Sequence, residues 1–317
     1  MTISIDDYNI TYNDNSVENS ARSGMRAIFL YGRSTVGGSP LGIANLVSNF
    51  GNIFSDISFG GNAVQSGAAS TYGGDRCISG FGYFTSSSTN VSTRVSELGA
   101  LLSTNTGVGT ARNGLAGAGY GDGLGIFAYG YNGSNLSLKN LVSQIGIVAT
   151  DVTGVGTARF SLAAATYGGD KAIFGYGTTS VGGNPAVSMT NLVSNAGVVA
   201  TDTTGVGTAR HVLAAAGYGG DKAIFGYGAT TASLSMTNLV SNAGVVATDT
   251  TGVGTIRSAL AAATYGGDKA IFGYGSNWLT SAMYSITNLV SNVGVVATDT
   301  TGVGTAREYL VASSFGP

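Results

Sequence analysis

Five arginines, Arg112, Arg159, Arg210, Arg257 and Arg307, recur at one position of a repeating text, and Val64 holds that position in an earlier copy. Gathered around an axial channel they would form a ring of cations. A guanidinium can also satisfy several oxygens at once through its planar fork of donors. The same spacing therefore fits five structural ties, each bonding carbonyls and an aspartate between neighbouring units. Five copies in one chain favour the structural ties.

Other groups capable of chemistry are sparse. Asp151, Asp202, Asp249 and Asp299 share a turn position, but calcium needs about six to eight oxygens converging on one ion, so no metal site is expected. Asp75-Arg76, Asp170-Lys171, Asp221-Lys222 and Asp268-Lys269 sit in another repeated turn. Turn chemistry explains each aspartate, and the cation reads as a solvated flank. His211 is the sole histidine, so any Ser–His–Asp or Cys–His arrangement would have to use it. It replaces Phe160 or Ser258 at a variable position and reads as a surface or strand-edge residue. Cys77 stands where other copies have Ala172, Ala223 and Ala270, as a small buried hydrophobe would. Alone, it forms no internal disulfide and leaves the redox compartment open. No GxxxxGK[ST] occurs, and GVGT precedes a strand rather than the helix that phosphate loops require. The 16 acids, mostly at repeated turns, offer no unpaired dyad for a hydrolase or lyase. No catalytic residue and no cofactor is expected.

Composition narrows the class further. DEKR make up 9% of the 317 residues, against roughly 25% in ordinary soluble domains. With 43% hydrophobic residues and a net charge of −2, the chain lacks the polarity and charge of a disordered one. A pI of about 5.3 and the absence of a basic cluster leave nothing to grip a nucleic-acid backbone. The opening MTISIDDYNITYNDNS has acids where a secretory signal has bases. No run approaches the roughly 18 apolar residues of a membrane span. Neither signal peptide, membrane nor nucleic-acid partner is expected.

The elements that must position these residues follow from the repeat. A short apolar segment closes on glycine at Gly32, Gly82, Gly130, Gly177, Gly228 and Gly275, as in KAIFGYG, at intervals of 47 to 51 residues. Such a period signals a repeat architecture. In the fourth copy four strand-like pieces appear: Phe160–Tyr167, Lys171–Gly177, Ser188–Ser194 and Val198–Asp202. Their lengths suit strands and not helices, and Gly168-Gly169-Asp170 suits a tight hairpin. Four short antiparallel strands per unit is the pattern of a β-propeller blade. The first apolar segment lacks an upstream partner strand, while the last copy ends at GVGTAREYLVASSFG. The fragments complement one another, so Tyr309–Phe315 is expected beside Met25–Tyr31, closing six units of four strands each, with the first blade completed by the C-terminal strand. Residues 22–317 would form this domain. Residues 1–21, with Ile3 and Ile5 alternating before Tyr8 and Tyr12, suggest an extended arm able to tether a partner. Phe29, Phe127, Phe174, Phe225 and Phe272, two residues before Tyr31, Tyr129, Tyr176, Tyr227 and Tyr274, are expected to share a face with those tyrosines.

From Arg159 through Leu162-Ala163-Ala164-Ala165 and Gly168 to Gly177 the text resembles the kelch repeat. The resemblance covers roughly residues 22–317 and implies the same closed propeller. Tyr-Gly or Phe-Gly replaces the family's Gly-Gly, and the third and fourth pieces lack its Tyr and Trp, so the chain is kelch-like. Copper chemistry of the galactose-oxidase kind, also built on such a propeller, needs at least two histidines and is excluded. The near-identical tandem copies also resemble repeats of bacteriophage and other viral structural proteins.

What varies between copies is the connection after the second strand, 33–44, 83–92, 131–139, 178–190, 229–237 and 276–287. Divergent loops on a repeated scaffold present binding surfaces. Tyr83, Phe84, Tyr131, Trp278 and Tyr284 are the aromatic candidates there. The expectation is a non-catalytic structural or adhesive module of a virion or cell surface, meeting other structural proteins, with residues 1–21 as one point of contact. The alternative is a carbohydrate-binding lectin whose loop aromatics stack on a surface glycan.

Overall fold

A computed structural model of the chain describes residues 26–316 in full and, ahead of them, the backbone of three short strands, Ser4–Ile5, Asn9–Thr11 and Val17–Asn19. Those three pair antiparallel, with Ile5 opposite Ile10 and Ile10 opposite Glu18. The rest of the extended arm expected over residues 1–21 lies outside the described residues.

Among the described residues the protein is all-β, a series of small antiparallel sheets. Six of these carry the repeat. The fourth joins Ala163–Tyr167, Lys171–Gly175 and Thr190–Val193. Its first hairpin leaves Gly168, Gly169 and Asp170 between the paired residues Tyr167 and Lys171. The two glycines have φ of 61° and 78°, a region that costs a residue without Cβ little. The third sheet (Ala116–Tyr120, Leu124–Ala128, Lys139–Val142), the fifth (Ala214–Tyr218, Lys222–Gly226, Thr237–Val240) and the sixth (Ala261–Tyr265, Lys269–Gly273, Thr287–Val290) repeat the plan. The second adds Leu101–Asn105 outside Ala68–Tyr72, Arg76–Gly80 and Ser92–Val95.

The first sheet is composite. Val311–Phe315 pairs antiparallel with Arg26–Leu30, Phe315 opposite Arg26 and Ser313 opposite Ile28, followed by Ile43–Val47 and Ile57–Ser58. Each sheet's first strand lies against the first strand of the next, and Val311–Phe315 also touches Ala68–Tyr72. Just before these strands, Ser66, Gly114, Ser161, Val212, Ala259 and Tyr309 all have positive φ. Their backbones form a closed circuit. Ser66 N–H donates to the Tyr309 carbonyl, Tyr309 to Ala259, Ala259 to Val212, Val212 to Ser161, Ser161 to Gly114, and Gly114 back to Ser66, at 2.6–3.0 Å.

The sequence predicts four strands per unit. The third to sixth sheets instead hold three, with the fourth piece attached through isolated bridges such as Val193 to Val199 and Thr190 to Thr203. Pairing slips one residue between those bridges, so Thr201 and Asp202 together oppose Asn191, as in a bulge. The buried Asn191 fills the gap, its Nδ2 donating to the Ala200 carbonyl at 3.0 Å and to Asp202 Oδ1 at 2.9 Å.

Apolar clusters lie between neighbouring sheets. Ile224 and Tyr227 of the fifth sheet pack with Ala270 and Phe272 of the sixth. The shared face expected for Phe and Tyr is not found. Phe127 packs on Phe81 of the second sheet and Tyr129 on Phe174 of the fourth, each at 5.5 Å between centroids. Tyr129 has φ 66°, and Tyr31, Tyr176, Tyr227 and Tyr274 lie within 61–64°. This left-handed turn ends the strand and sends the tyrosine to the following sheet, because face alternation holds only for extended backbone. The glycine closing KAIFG has a packing cause. A Cβ on Gly226 would lie 2.6 Å from Phe272 Cζ.

Candidate functional site

The five arginines are all fully buried. Arg159, like Arg112, makes the full set of bonds, whereas Arg210 and Arg307 lack the one to asparagine and Arg257 the one from Nε. Arg159 Nε donates to the Tyr176 carbonyl at 2.8 Å, one terminal nitrogen to the Thr157 carbonyl at 3.1 Å and the other to Asn191 Oδ1 at 2.7 Å. Its guanidinium lies 4.3 Å from the ring centroid of Tyr129, in the preceding sheet. Arg112, Arg210, Arg257 and Arg307 stack likewise on Phe81, Tyr176, Tyr227 and Tyr274. Each arginine therefore ties its own sheet together while lying on an aromatic ring of the sheet before. Burial pulls the guanidinium pKa down, to about 10 at Arg112, with Asp151 opposing the shift. The cation persists at neutral pH.

Each turn aspartate completes a clamp. Asp202 accepts from the backbone N–H and hydroxyl of Thr157 at 2.9 and 2.7 Å and from Asn191, with Arg159 3.9 Å away. Burial pushes the carboxyl up, but the hydrogen bonds from Thr157 and Asn191 outweigh it and leave the pKa below the ordinary value. Asp56, Asp151, Asp249 and Asp299 do the same against Thr305, Thr110, Thr208 and Thr255. Their oxygens are committed to the fold. Among the described residues no cluster of three or more His, Cys, Asp or Glu could hold a metal ion.

The buried asparagines Asn45, Asn140, Asn191, Asn238 and Asn288 are clamp members that the sequence reading missed. Their signal was the recurring Asn-Leu-Val. In the second sheet Thr93 replaces the asparagine, Val64 the arginine and Phe81 the tyrosine, so the clamp changes as a unit.

His211 is not at the surface. It is 3% exposed, packed edge-on to Trp278 at 5.5 Å, and a Cβ on Gly183 would collide with its Nε2. A loop of the fourth sheet covers it. Burial lowers its pKa, with a backbone hydrogen bond at Thr230 opposing. Cys77 is fully buried, and burial pushes its thiol up to about 12.

Among the described residues no arginine lines the cavities enclosed by the first strands. Those cavities are small and lie in a row. The largest, about 230 Å³, opens at the Gly-Gly-Asp turns among Thr71, Gly119, Thr166, Gly217 and Thr264. One of about 80 Å³ lies at the other end, lined by the backbone circuit and by Leu115, Leu162, Leu213, Leu260 and Leu310.

The variable loops all begin at that second end. Tyr83, Tyr131, Thr178, Ala229, Ser276 and Arg33 each bridge to the residue just before the circuit, namely Gln65, Asn113, Phe160, His211, Ser258 and Glu308. Neighbouring loops interlock. Trp278 N–H donates to Ser233 Oγ at 2.8 Å, and Asn135 Nδ2 to the Thr179 carbonyl at 2.6 Å. A partly buried ion pair, Arg33 with Glu308 at 2.9 Å, joins the two ends of the repeat, and Ser276 donates to the second carboxylate oxygen. Of the aromatic candidates, Trp278 and Phe84 are 41% and 42% exposed. Tyr83, Tyr131 and Tyr284 are half-buried, and Tyr131 lies on Phe160 at 5.1 Å. They sit on the second, third and sixth sheets, at one end but in separate sectors, and none lines the axial cavities.

No helix among the described residues is long and apolar enough to cross a membrane. No model of a known protein family matches the chain, and no curated protein matches it.

Proposed function

We propose that this chain is a non-catalytic structural and adhesive module, built as a six-bladed kelch-like β-propeller and carried on a virion or cell surface. The pairing of Val311–Phe315 with Arg26–Leu30 and the six-member backbone circuit support the propeller reading. One observation carries the functional reading. The arginine and turn aspartate found in five of the six copies are spent inside sheet-to-sheet clamps, while the segments that differ between copies share one exposed end. A scaffold of that kind holds contact surfaces in place and varies them by loop. The partners are other structural proteins of an assembly. The uncharged Gly/Ser/Thr/Asn surface and the near-identical copies support a virion or surface setting.

Cross-linking mass spectrometry of the native particle tests this reading. It predicts stoichiometric links from loops such as 178–190 or 276–287 to neighbouring structural proteins. Turnover of any substrate by the purified chain, or no links from those loops, would overturn it. The exposure of Trp278, with its edge fixed on His211, favours a lectin as the second reading. A glycan-array signal lost in Trp278→Ala would select that reading instead.

A further inference from the structure

Three of the variable loops converge on His211, which belongs to none of them. The loop 229–237 starts beside it, at the bridge between His211 and Ala229. From the sixth sheet, Trp278 sets its ring edge on the imidazole. From the fourth, the tip of 178–190 dips onto it. Gly182 and Asn184 are exposed, but Gly183 between them is buried on the imidazole, where no Cβ would fit. That tip has little else to hold it. Among the described residues, the hydrogen bonds of 180–185 all run to partners within 178–185. Gly183 N–H donates to the Ser180 carbonyl at 3.1 Å, and Thr178 Oγ1 to the Pro185 carbonyl at 3.1 Å.

The imidazole beneath is only half satisfied. One ring nitrogen is hydrogen-bonded to the Thr230 backbone, while the buried Nε2, against Gly183, has no partner. A neutral ring leaves Nε2 a bare lone pair. Protonation turns it into a charged N–H with no acceptor in place, and an unpaired buried charge costs far more than an unpaired lone pair. No neighbouring charge offsets that cost. Loops 178–190, 229–237 and 276–287 hold no Asp, Glu, Lys or Arg, and Tyr284 is their one titratable side chain. Arg210 and Arg257 are committed to the rings of Tyr176 and Tyr227, and Glu308 to Arg33 and Ser276.

We infer that His211 is an acid-operated latch, whose protonation releases the tip of 178–190 and uncovers the imidazole and the edge of Trp278. Opening lets water reach Nε2, so the open form takes its proton near the ordinary value of about 6.5. The closed form takes it only at lower pH, in line with the lowering by burial. The tip therefore stays shut above about pH 6.5. Below that, the open fraction rises up to about tenfold per pH unit, until the closed form is itself protonated. The first loop carries the same Val-Gly-Gly-x-Pro text at 36–40, but the copy after it has Gln65 at the position of His211. The device belongs to one sector. As a regulator of contact it rests on the proposed role of these loops, whereas the latch itself does not.

Trp278 is the one tryptophan, so its emission reports the latch. Acrylamide quenching of the full chain, followed from about pH 7.5 to about pH 5, should rise about twofold or more with a midpoint below about 6.5. His211→Phe should hold the quenching at its neutral-pH level throughout. Gly183→Ala, which wedges the tip off the imidazole, should give the acid level already at neutral pH. Quenching that is flat in the wild-type chain overturns the latch, as does an equal pH dependence in His211→Phe. Loss of far-ultraviolet circular dichroism in step with the quenching, which would make the change global, overturns it too. Each of these results would leave the contact role of the loops standing. A working latch in a chain whose loops cross-link to no neighbour would remove only its regulatory use.

Discussion

Arg159 of the fourth sheet lies 4.3 Å from the ring of Tyr129 in the third, while its Nε holds the Tyr176 carbonyl of its own sheet. The same pair of contacts recurs at Arg112, Arg210 and Arg307, while Arg257 keeps the stacking alone, so one residue type secures both the strand ends within a sheet and the packing between sheets.

Removing that cation leaves three buried acceptors without a donor. Arg159→Ala is expected to cost about 3–5 kcal/mol, as expected when one partner of a buried charged network is deleted. Arg159→Lys should recover less than half, because an ammonium cannot reproduce the fork or the stacking. Urea unfolding measures both, and a loss below about 1 kcal/mol for the alanine variant would contradict the clamp.

Acidification should destabilise the fold in two stages. His211 has its folded pKa lowered below the ordinary 6.5. The unfolded chain then takes the proton first, and stability falls as pH drops from about 6.5 toward the folded value. Asp202 and its counterparts have folded values below 3.8. Their contribution is present above that pH and is lost as pH falls further. Melting temperature against pH should show both stages, and His211→Phe, which installs the residue found at Phe160 in the preceding copy, should abolish only the first. A variant that retains the first stage would assign it elsewhere.

The end of the second strand should tolerate no side chain. Gly226→Ala places a methyl against Phe272 and is expected to cost about 1–3 kcal/mol by overpacking. Combined with Phe272→Leu, the losses should be less than additive, by at least about 0.5 kcal/mol in a double-mutant cycle. Strict additivity would show that the two do not touch.

Cys77, buried with its thiol pushed up to about 12, should resist alkylation at pH 8 in the folded protein and react on unfolding. Cys77→Ala, the residue found at Ala27, Ala172, Ala223 and Ala270 of four other copies, should change stability by less than about 1.5 kcal/mol. Rapid labelling of the native chain would place the thiol at the surface.

Much of the strand plan could be read from the residues themselves. Gly-Gly-Asp marked the first hairpin of four sheets, and the unmatched fragments at the two ends of the repeat matched each other in the structure. Other features left no local trace. Alternation put Phe174 and Tyr176 on one face because nothing in the text reveals that Tyr176 adopts φ 64°. A polar residue between apolar neighbours reads as exposed, so Asn191 passed unnoticed although its repetition was visible. His211 looked like a surface residue because its cover, Gly183, belongs to another sheet and to a loop whose length is its own. The fourth piece of each unit read as a strand, since a one-residue slip in pairing does not show in composition.

The last strand closes on the first copy, and an engineered disulfide gives the sharpest check of that closure. Ala27 and Ser314 face each other across Arg26–Leu30 and Val311–Phe315, and both are small. Ala27→Cys with Ser314→Cys, in a Cys77→Ala background, should oxidise to a single intramolecular disulfide. Linking residues so distant in sequence should raise stability by on the order of 5 kcal/mol when unfolding is measured with the bond intact. Two thiols that stay free under oxidising conditions in the folded protein would contradict the closure.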